Sequence, residues 1–350
     1  MTLRCVWSYL LCVVEGSDAA HSRQVALAWF SFAGKSYCRD GISCAGAGRI
    51  EEALAKAEVQ SEAVAWSLGF DPEEAFSVGF QGSFSTSPTV NGAYDIGGGT
   101  QGKNASSLKL FDDTLLASIC CGPVEIAIKG KRRFPNETRE ESDSSDTTVV
   151  PGLSAFRWRC VDFTGRMTVR DHSRDLGGVA YFQQVRSHIP LLPWDWCYCV
   201  FPDGSIAGIS TLRIGRDLIA DERHIRSDRI SLLDLPIFSR GFFLDGRTGR
   251  LFRMTRSKVV RSTGEQDGQK KRILASDGQG CQMQLDVIID DAHSFNFSRT
   301  TSRLPGRRFH YRSSTGAVRN FSFRNERAES DNRSFQTGTC NLERTYGIMT

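Results

Sequence analysis

No apolar run in this chain is long enough to cross a bilayer as a helix. The run Cys5 to Val14 falls well short of the roughly 20 residues needed. Cys-x-x-Cys is missing too, although there are 11 cysteines, which argues against a zinc knuckle or a thioredoxin-type motif. Cys120 and Cys121 are adjacent, and Cys197 and Cys199 share one strand face. Neither pairing is a natural short-range disulfide, and cysteine serves equally well as a small buried hydrophobe. The six histidines, His21, His172, His188, His224, His293 and His310, never fall at metal-ligand spacing, so no metal site is expected. Charge of one sign is also lacking. The net charge is +4, and Lys and Arg are scattered rather than gathered into a stripe with interleaved aromatics. Nucleic acid is therefore not an expected partner.

The length of 350 residues suits two domains or one large β architecture, and a hydrophobic share of 40% is workable for a folded core. The most informative stretch is Gly177 to Gly215. It reads as strand, tight turn, strand: Pro193 ends the approach, and Asp203-Gly204 is a hairpin signal because Gly accepts positive φ. From Trp194 the side chains alternate. One face carries Trp194, Trp196, Tyr198 and Val200, and the other carries Asp195, Cys197, Cys199 and Phe201. Three large rings on one face can wall a cavity, each ending in a polar tip; the competing reading is that they fill a barrel or sandwich core. Alternation turns Asp195 away from the rings, the place of a structural carboxylate unless a bulge re-aims it.

The rest of the chain reads as many short strands between Gly, Asp and Ser turns, the pattern of an all-β barrel or sandwich. Ser77 to Phe84 alternates, as does Val124 to Lys131. Ala155 to Val161 with Thr164 to Arg170 is an expected hairpin. Gly97 to Gly102 formally satisfies G-x-G-x-x-G, but a strand-like segment follows it where a helix is required, so a loop is expected. Pro135 to Thr148 is acidic, Ser-rich and reads as a solvated loop, and Arg216 to Asp234 reads as loop plus short strand. Asp171-His172 sits in a charged turn context. Ile50 to Leu68, with Ile50, Leu54, Ala57, Val64 and Leu68 near one face, reads as the single N-terminal helix. The closing strand places Asn341, Glu343 and Thr345 on one face.

Two signals raise a secretory location. The start has the shape of a short signal peptide with Ser17-Asp-Ala19 as its cleavage site. Asn104, Asn136, Asn296, Asn320 and Asn332 each begin a glycosylation acceptor pattern.

Gly165 to Val169, Gly177 to Gln183, Pro193-Trp-Asp-Trp196, Phe201-Pro-Asp-Gly204-Ser and Asn341 to Gly347 together resemble the lipocalin-like hydroxyneurosporene synthase superfamily, which includes carotenoid 1,2-hydratases and fungal Diels–Alderases. The resemblance covers roughly residues 100 to 350. It implies two lipocalin-like antiparallel β-barrels or sandwiches side by side, an apolar pocket, and neither metal nor organic cofactor. Where such proteins often carry a charged pair after the Gly-Tyr element, this chain has Gln183, Gln184 and Arg186. The expected division is an extension over 1–69, a first β domain over 70–185 and a second over 186–350. Two functions follow. In one, the protein binds an apolar small molecule (an isoprenoid, lipid or pigment) through Trp194, Trp196, Tyr198, Phe182, Gln183 and Asn341. In the other, it is a cofactor-independent hydratase or cyclase acting on a polyene or polyketide, with Glu343 or Asp195 handling the proton.

Overall fold

The computed structural model describes residues 2–15, 22–89, 94–99, 103–134, 147–215, 218, 235–261, 270–298 and 308–348. The fold is mainly β, built from two antiparallel sheets. The strands of the first half are β1 (Cys5–Val14), β2 (Arg23–Phe32), β3 (Gly34–Arg39), β4 (Ile42–Gly48), β5 (Glu58–Leu68), β6 (Ser77–Pro88), β7 (Tyr94–Gly99), β8 (Ala105–Phe111), β9 (Thr114–Cys121), β10 (Val124–Arg132), β11 (Thr147–Val150), β12 (Leu153–Val169) and β13 (His172–Ser187). Those of the second half are β14 (Trp194–Val200), β15 (Ile206–Ile214), β16 (Leu235–Leu244), β17 (Leu251–Met254), β18 (Arg256–Arg261), β19 (Lys270–Ser276), β20 (Cys281–Ser298), β21 (Arg308–Asn325), β22 (Arg333–Phe335) and β23 (Gly338–Gly347).

Ten strands close the first barrel in the order β10-β9-β8-β7-β6-β5-β2-β1-β13-β12, and β10 pairs back onto β12. Closure removes the sheet edges that would otherwise invite pairing with other chains. The second sheet runs β17-β16-β15-β14-β23-β21-β20-β19-β18. It curls until β16 meets β18, where the Ser257 amide and hydroxyl bond to the Ser239 hydroxyl at 2.6 and 2.8 Å. The β3–β4 hairpin leaves the first half of the chain and pairs through Cys38 and Arg39 with the end of β20.

Each interior is filled. Leu10, Val25, Leu27, Trp29, Phe84, Ile126, Trp158 and Phe182 belong to the core inside the first barrel. Cys197, Cys199, Ile209, Phe243, Leu285 and Phe323 belong to the core inside the second sheet. A third core lies between the two, formed by Tyr9, Leu11, Ala28, Trp66 and Tyr181 of the first barrel's outer wall and Trp196, Tyr198, Phe295 and Tyr311 of the second sheet. This seam explains β1. Leu10, Cys12 and Val14 point into the barrel while Tyr9, Leu11 and Val13 point into the seam. A strand covered on both faces loses its alternation and reads as a continuous apolar run. The run expected to be a leader is bonded along its whole length to β2 and β13.

Other expectations change for similar reasons. Residues 1–69 do not stand apart, because β1, β2 and β5 are neighbours in the middle of the barrel sheet. The helix over Ile50 to Leu68 is confined to α1 (Ile50–Ala55). Ala57 adopts φ +55 and turns the chain into β5. There Val59, Ala63 and Ala65 face the barrel core while Val64, Trp66 and Leu68 face the seam. With apolar residues on both faces, β5 mimics a helical spacing. The glycines Gly97 to Gly99 end strand β7 rather than forming a loop. The hairpin expected within 155–170 is one 17-residue strand, bent by a bulge between Trp158 and Val161 and turned at Arg170-Asp171 into β13. Most of Pro135 to Thr148 and of Arg216 to Asp234, together with His21, His224 and Asn136, lies outside the described residues. Among the described residues no helix is long and apolar enough to cross a membrane.

Candidate functional site

The hairpin of β14 and β15 forms as its sequence demands. Gly204 sits at φ +80, the Asp203 carboxylate accepts the Ser205 amide at 2.9 Å, and the Phe201 amide bonds to the Ser205 carbonyl at 2.9 Å. The period of two then sends Trp194, Trp196 and Tyr198 to one face and Cys197, Cys199 and Phe201 to the other. The rings do not line the inside of their own barrel. They face outward, into the seam, because the opposite face already fills the interior of the second sheet.

β23 pairs beside β14, with Glu343 opposite Trp196 and Asn341 opposite Tyr198. On its other side β23 pairs with β21, which sets Tyr311 opposite Thr345 and Ser313 opposite Glu343. β1 supplies Trp7 and Tyr9 from across the seam. The Tyr311 hydroxyl donates to Glu343 Oε1 at 2.6 Å, and Trp194 Nε1 donates to Oε2 at 3.4 Å. The Tyr9 hydroxyl faces the same carboxyl but closes no hydrogen bond.

Glu343 is 3% exposed. Burial pushes its carboxyl up to about 7, against the opposing pull of the Tyr311, Tyr9 and Trp194 donors that face it. None of the groups acting on it is a cation. Burial and the charge of Glu343 push the Tyr9 and Tyr311 phenols up as well, well above their usual range, so they stay protonated donors. A carboxyl that is half protonated near neutrality can both give and take a proton.

Two cavities adjoin this group. One, about 70 Å³, is lined by Trp7, Arg157, Tyr181, Gln183, Trp194 and Trp196 among others, and by the segment Ile189 to Leu192. The other, about 20 Å³, holds Tyr9, Phe309, Tyr311 and Glu343. Trp7, Gln183, Leu191 and Trp194 line both. A larger open groove, about 490 Å³, lies well away from Glu343 among Arg256, Lys258, Gln284 and Arg324.

The residues singled out from the sequence therefore separate. Glu343, Trp194, Trp196 and Gln183 converge on the two cavities. Tyr198 lies deeper, stacked on Trp196 with centroids 5.8 Å apart and donating to the Arg159 carbonyl at 2.6 Å. Asn341 is a stitch between the halves: its amide nitrogen donates to Gln24 Oε1 at 2.8 Å and Ser313 Oγ at 3.0 Å. Phe182 points into the first barrel, against Phe156 and Trp158. Asp195 lies on the opposite face from Glu343, buried between Arg213 at 3.3 Å and Arg344 at 3.6 Å. Trp7, Tyr9 and Tyr311 were not anticipated. Tyr311 sits in an alternating Phe309-His-Tyr311 run, but only the register with β23 shows which group it meets.

The three cysteines Cys197, Cys199 and Cys340 also come together, with all three sulfurs within 4.8 Å of one another. Cross-strand pairing, which chain spacing does not display, makes this group.

No family model matches the chain, and no curated protein matches it either. Among solved structures the fold is similar to that of a candidate AttH from Nitrosomonas europaea, at 15% identity and TM-score 0.54, covering 97% of this chain and 92% of that one. It is also similar to CghA, at 11% identity and TM-score 0.56, covering 99% and 88%. At these identities the likeness is one of fold.

Proposed function

We propose that the seam between the two β bodies takes an apolar small molecule and that Glu343 transfers a proton to it, as in a cofactor-independent hydratase or cyclase. The observation that carries this reading is a carboxyl held near neutrality among aromatic rings, with Tyr311 and Trp194 as donors and no cation to lock it in the ionised form. The resemblance to carotenoid 1,2-hydratases supports the same chemistry, and that to fungal Diels–Alderases supports an apolar polyene or polyketide guest. Protonated Glu343 gives its proton to a double bond or a carbonyl oxygen of the guest. The carboxylate left behind keeps the hydroxyl of Tyr311 and the indole N–H of Trp194. Positive charge developing on the guest lies among the faces of Trp7, Trp194 and Trp196, where the ring quadrupoles favour it. Water or an internal nucleophile adds, and Glu343 recovers a proton from the adduct.

The resting cavities hold only a small part of a polyene, so a guest of that size requires the side chains lining them to part. The test is turnover of candidate polyenes and polyketides by purified protein. Loss in Glu343→Gln, with a wild-type pH profile inflecting near 7, is the expected result. Equal turnover by Glu343→Gln overturns proton transfer. A co-purifying hydrophobe that native mass spectrometry finds unchanged after long incubation assigns the seam to binding alone.

A further inference from the structure

We propose that Cys197, Cys199 and Cys340 form a three-sulfur site for a soft monovalent ion, Cu(I), inside the second sheet and separate from the seam. Cys199 and Cys340 are directly opposite one another on β14 and β23, and Cys197 is the next residue on the same face. The Cys197 sulfur lies 3.5 Å from that of Cys199 and 3.3 Å from that of Cys340. All three are 0–1% exposed. The triangle is thus fixed by two paired strands rather than by a loop, which is the kind of support a metal site needs.

Each copper–sulfur bond replaces a thiol S–H bond and releases one proton to solvent.

The surroundings select the ion. By register the neighbours of the triangle are Ala207, Ile209, Leu342 and Gly316, which offer no side-chain nitrogen or oxygen. Asp195, one step along the face, is engaged by Arg213 and Arg344. Structural zinc closes its shell with four ligands, whereas among the described residues no fourth His, Cys, Asp or Glu joins the three sulfurs, a soft donor set that suits Cu(I). Three thiolates around Cu(I) leave the site anionic. Arg213 and Arg344, which hold Asp195, place two guanidiniums one step along the same face.

The experiment is an anaerobic titration of the reduced, metal-free full chain with Cu(I) against a chromophoric Cu(I) chelator. One copper per chain is expected to be retained, with a sulfur-only first shell by X-ray absorption. Cys197→Ser and Cys340→Ser are expected to weaken retention by more than the roughly 10–100-fold that loss of a supporting partner costs. Cys12→Ser, in the first barrel's core, is expected to leave retention unchanged. Because binding couples to folding, Cu(I) also raises the melting temperature of the wild type, a readout that needs no variant. Failure of the wild type to retain copper, a first shell containing nitrogen or oxygen, or equal retention by Cys197→Ser and Cys340→Ser overturns the site.

Discussion

Trp7 and Trp194 face each other across the seam with ring centroids 5.0 Å apart and planes inclined at 35°. One comes from the wall of the closed barrel and the other from the first strand of the second sheet. Both rings line the two cavities, beside Gln183 and Leu191.

Removing either ring is expected to enlarge the space it lines. Trp7→Ala is expected to cost about 2–4 kcal/mol, toward the lower part of the range for large aromatic truncations because the ring is only half-buried. Binding of an apolar fluorescent probe is expected to rise in the same variant. Urea unfolding and probe titration measure the two effects, and unchanged probe binding would show that the ring does not limit that space.

Glu343→Gln is expected to change how stability depends on pH. The folded carboxyl, raised from 4.5 to about 7, binds its proton more tightly than the unfolded one. Its contribution is therefore fully present below about 4.5 and is lost as pH rises through about 7. The loss is on the order of 3 kcal/mol. Relative to wild type, Glu343→Gln should gain stability across that window. Parallel curves for the two proteins from acid to neutral pH would contradict the raised value.

Tyr311→Phe deletes the 2.6 Å bond to Glu343 Oε1. That bond stabilises the carboxylate, so its removal moves the Glu343 carboxyl further up. The fold should lose about 1–3 kcal/mol. The carboxyl stretching band followed against pH reports the first effect and denaturant unfolding the second. A titration midpoint that stays in place or falls would contradict the assignment of donor and acceptor.

Asp195→Asn removes the buried carboxylate that Arg213 and Arg344 share, at an expected cost of about 3–5 kcal/mol for breaking a buried ion pair. It should leave the titration of Glu343 where it is, since the two carboxyls lie on opposite faces of the paired strands β14 and β23. A large stability loss with an unshifted Glu343 midpoint is the expected pair of results. A shifted midpoint would mean that Asp195 communicates with the seam.

The local parts of this fold are legible in the sequence. Asp203-Gly204 fixes the hairpin, and the alternation from Trp194 to Phe201 sorts rings from thiols. The closing segment places Asn341, Glu343 and Thr345 on one face. β1 and β5 are illegible for one shared reason. Each is covered on both faces, so the apolar side chains that face the barrel and those that face the seam merge into one unpatterned run. Covering two faces requires a second body, and no single segment records that a second body will arrive.

That the chain is mainly β, where its central hairpin turns, and which side chains share a strand face can all be read from the residues in order. Period and turn chemistry are properties of a few consecutive residues, so a few consecutive residues suffice to state them. Which of the two faces looks outward, that Tyr9 and Tyr311 meet Glu343, that Asp195 is tied to arginines, and that Cys340 joins Cys197 and Cys199 follow from folding alone. Those facts depend on the register between paired strands, from 18 residues apart for Asp195 and Arg213 to 143 for Cys197 and Cys340, and on the desolvation that closing the seam imposes on a carboxyl which would otherwise ionise in water.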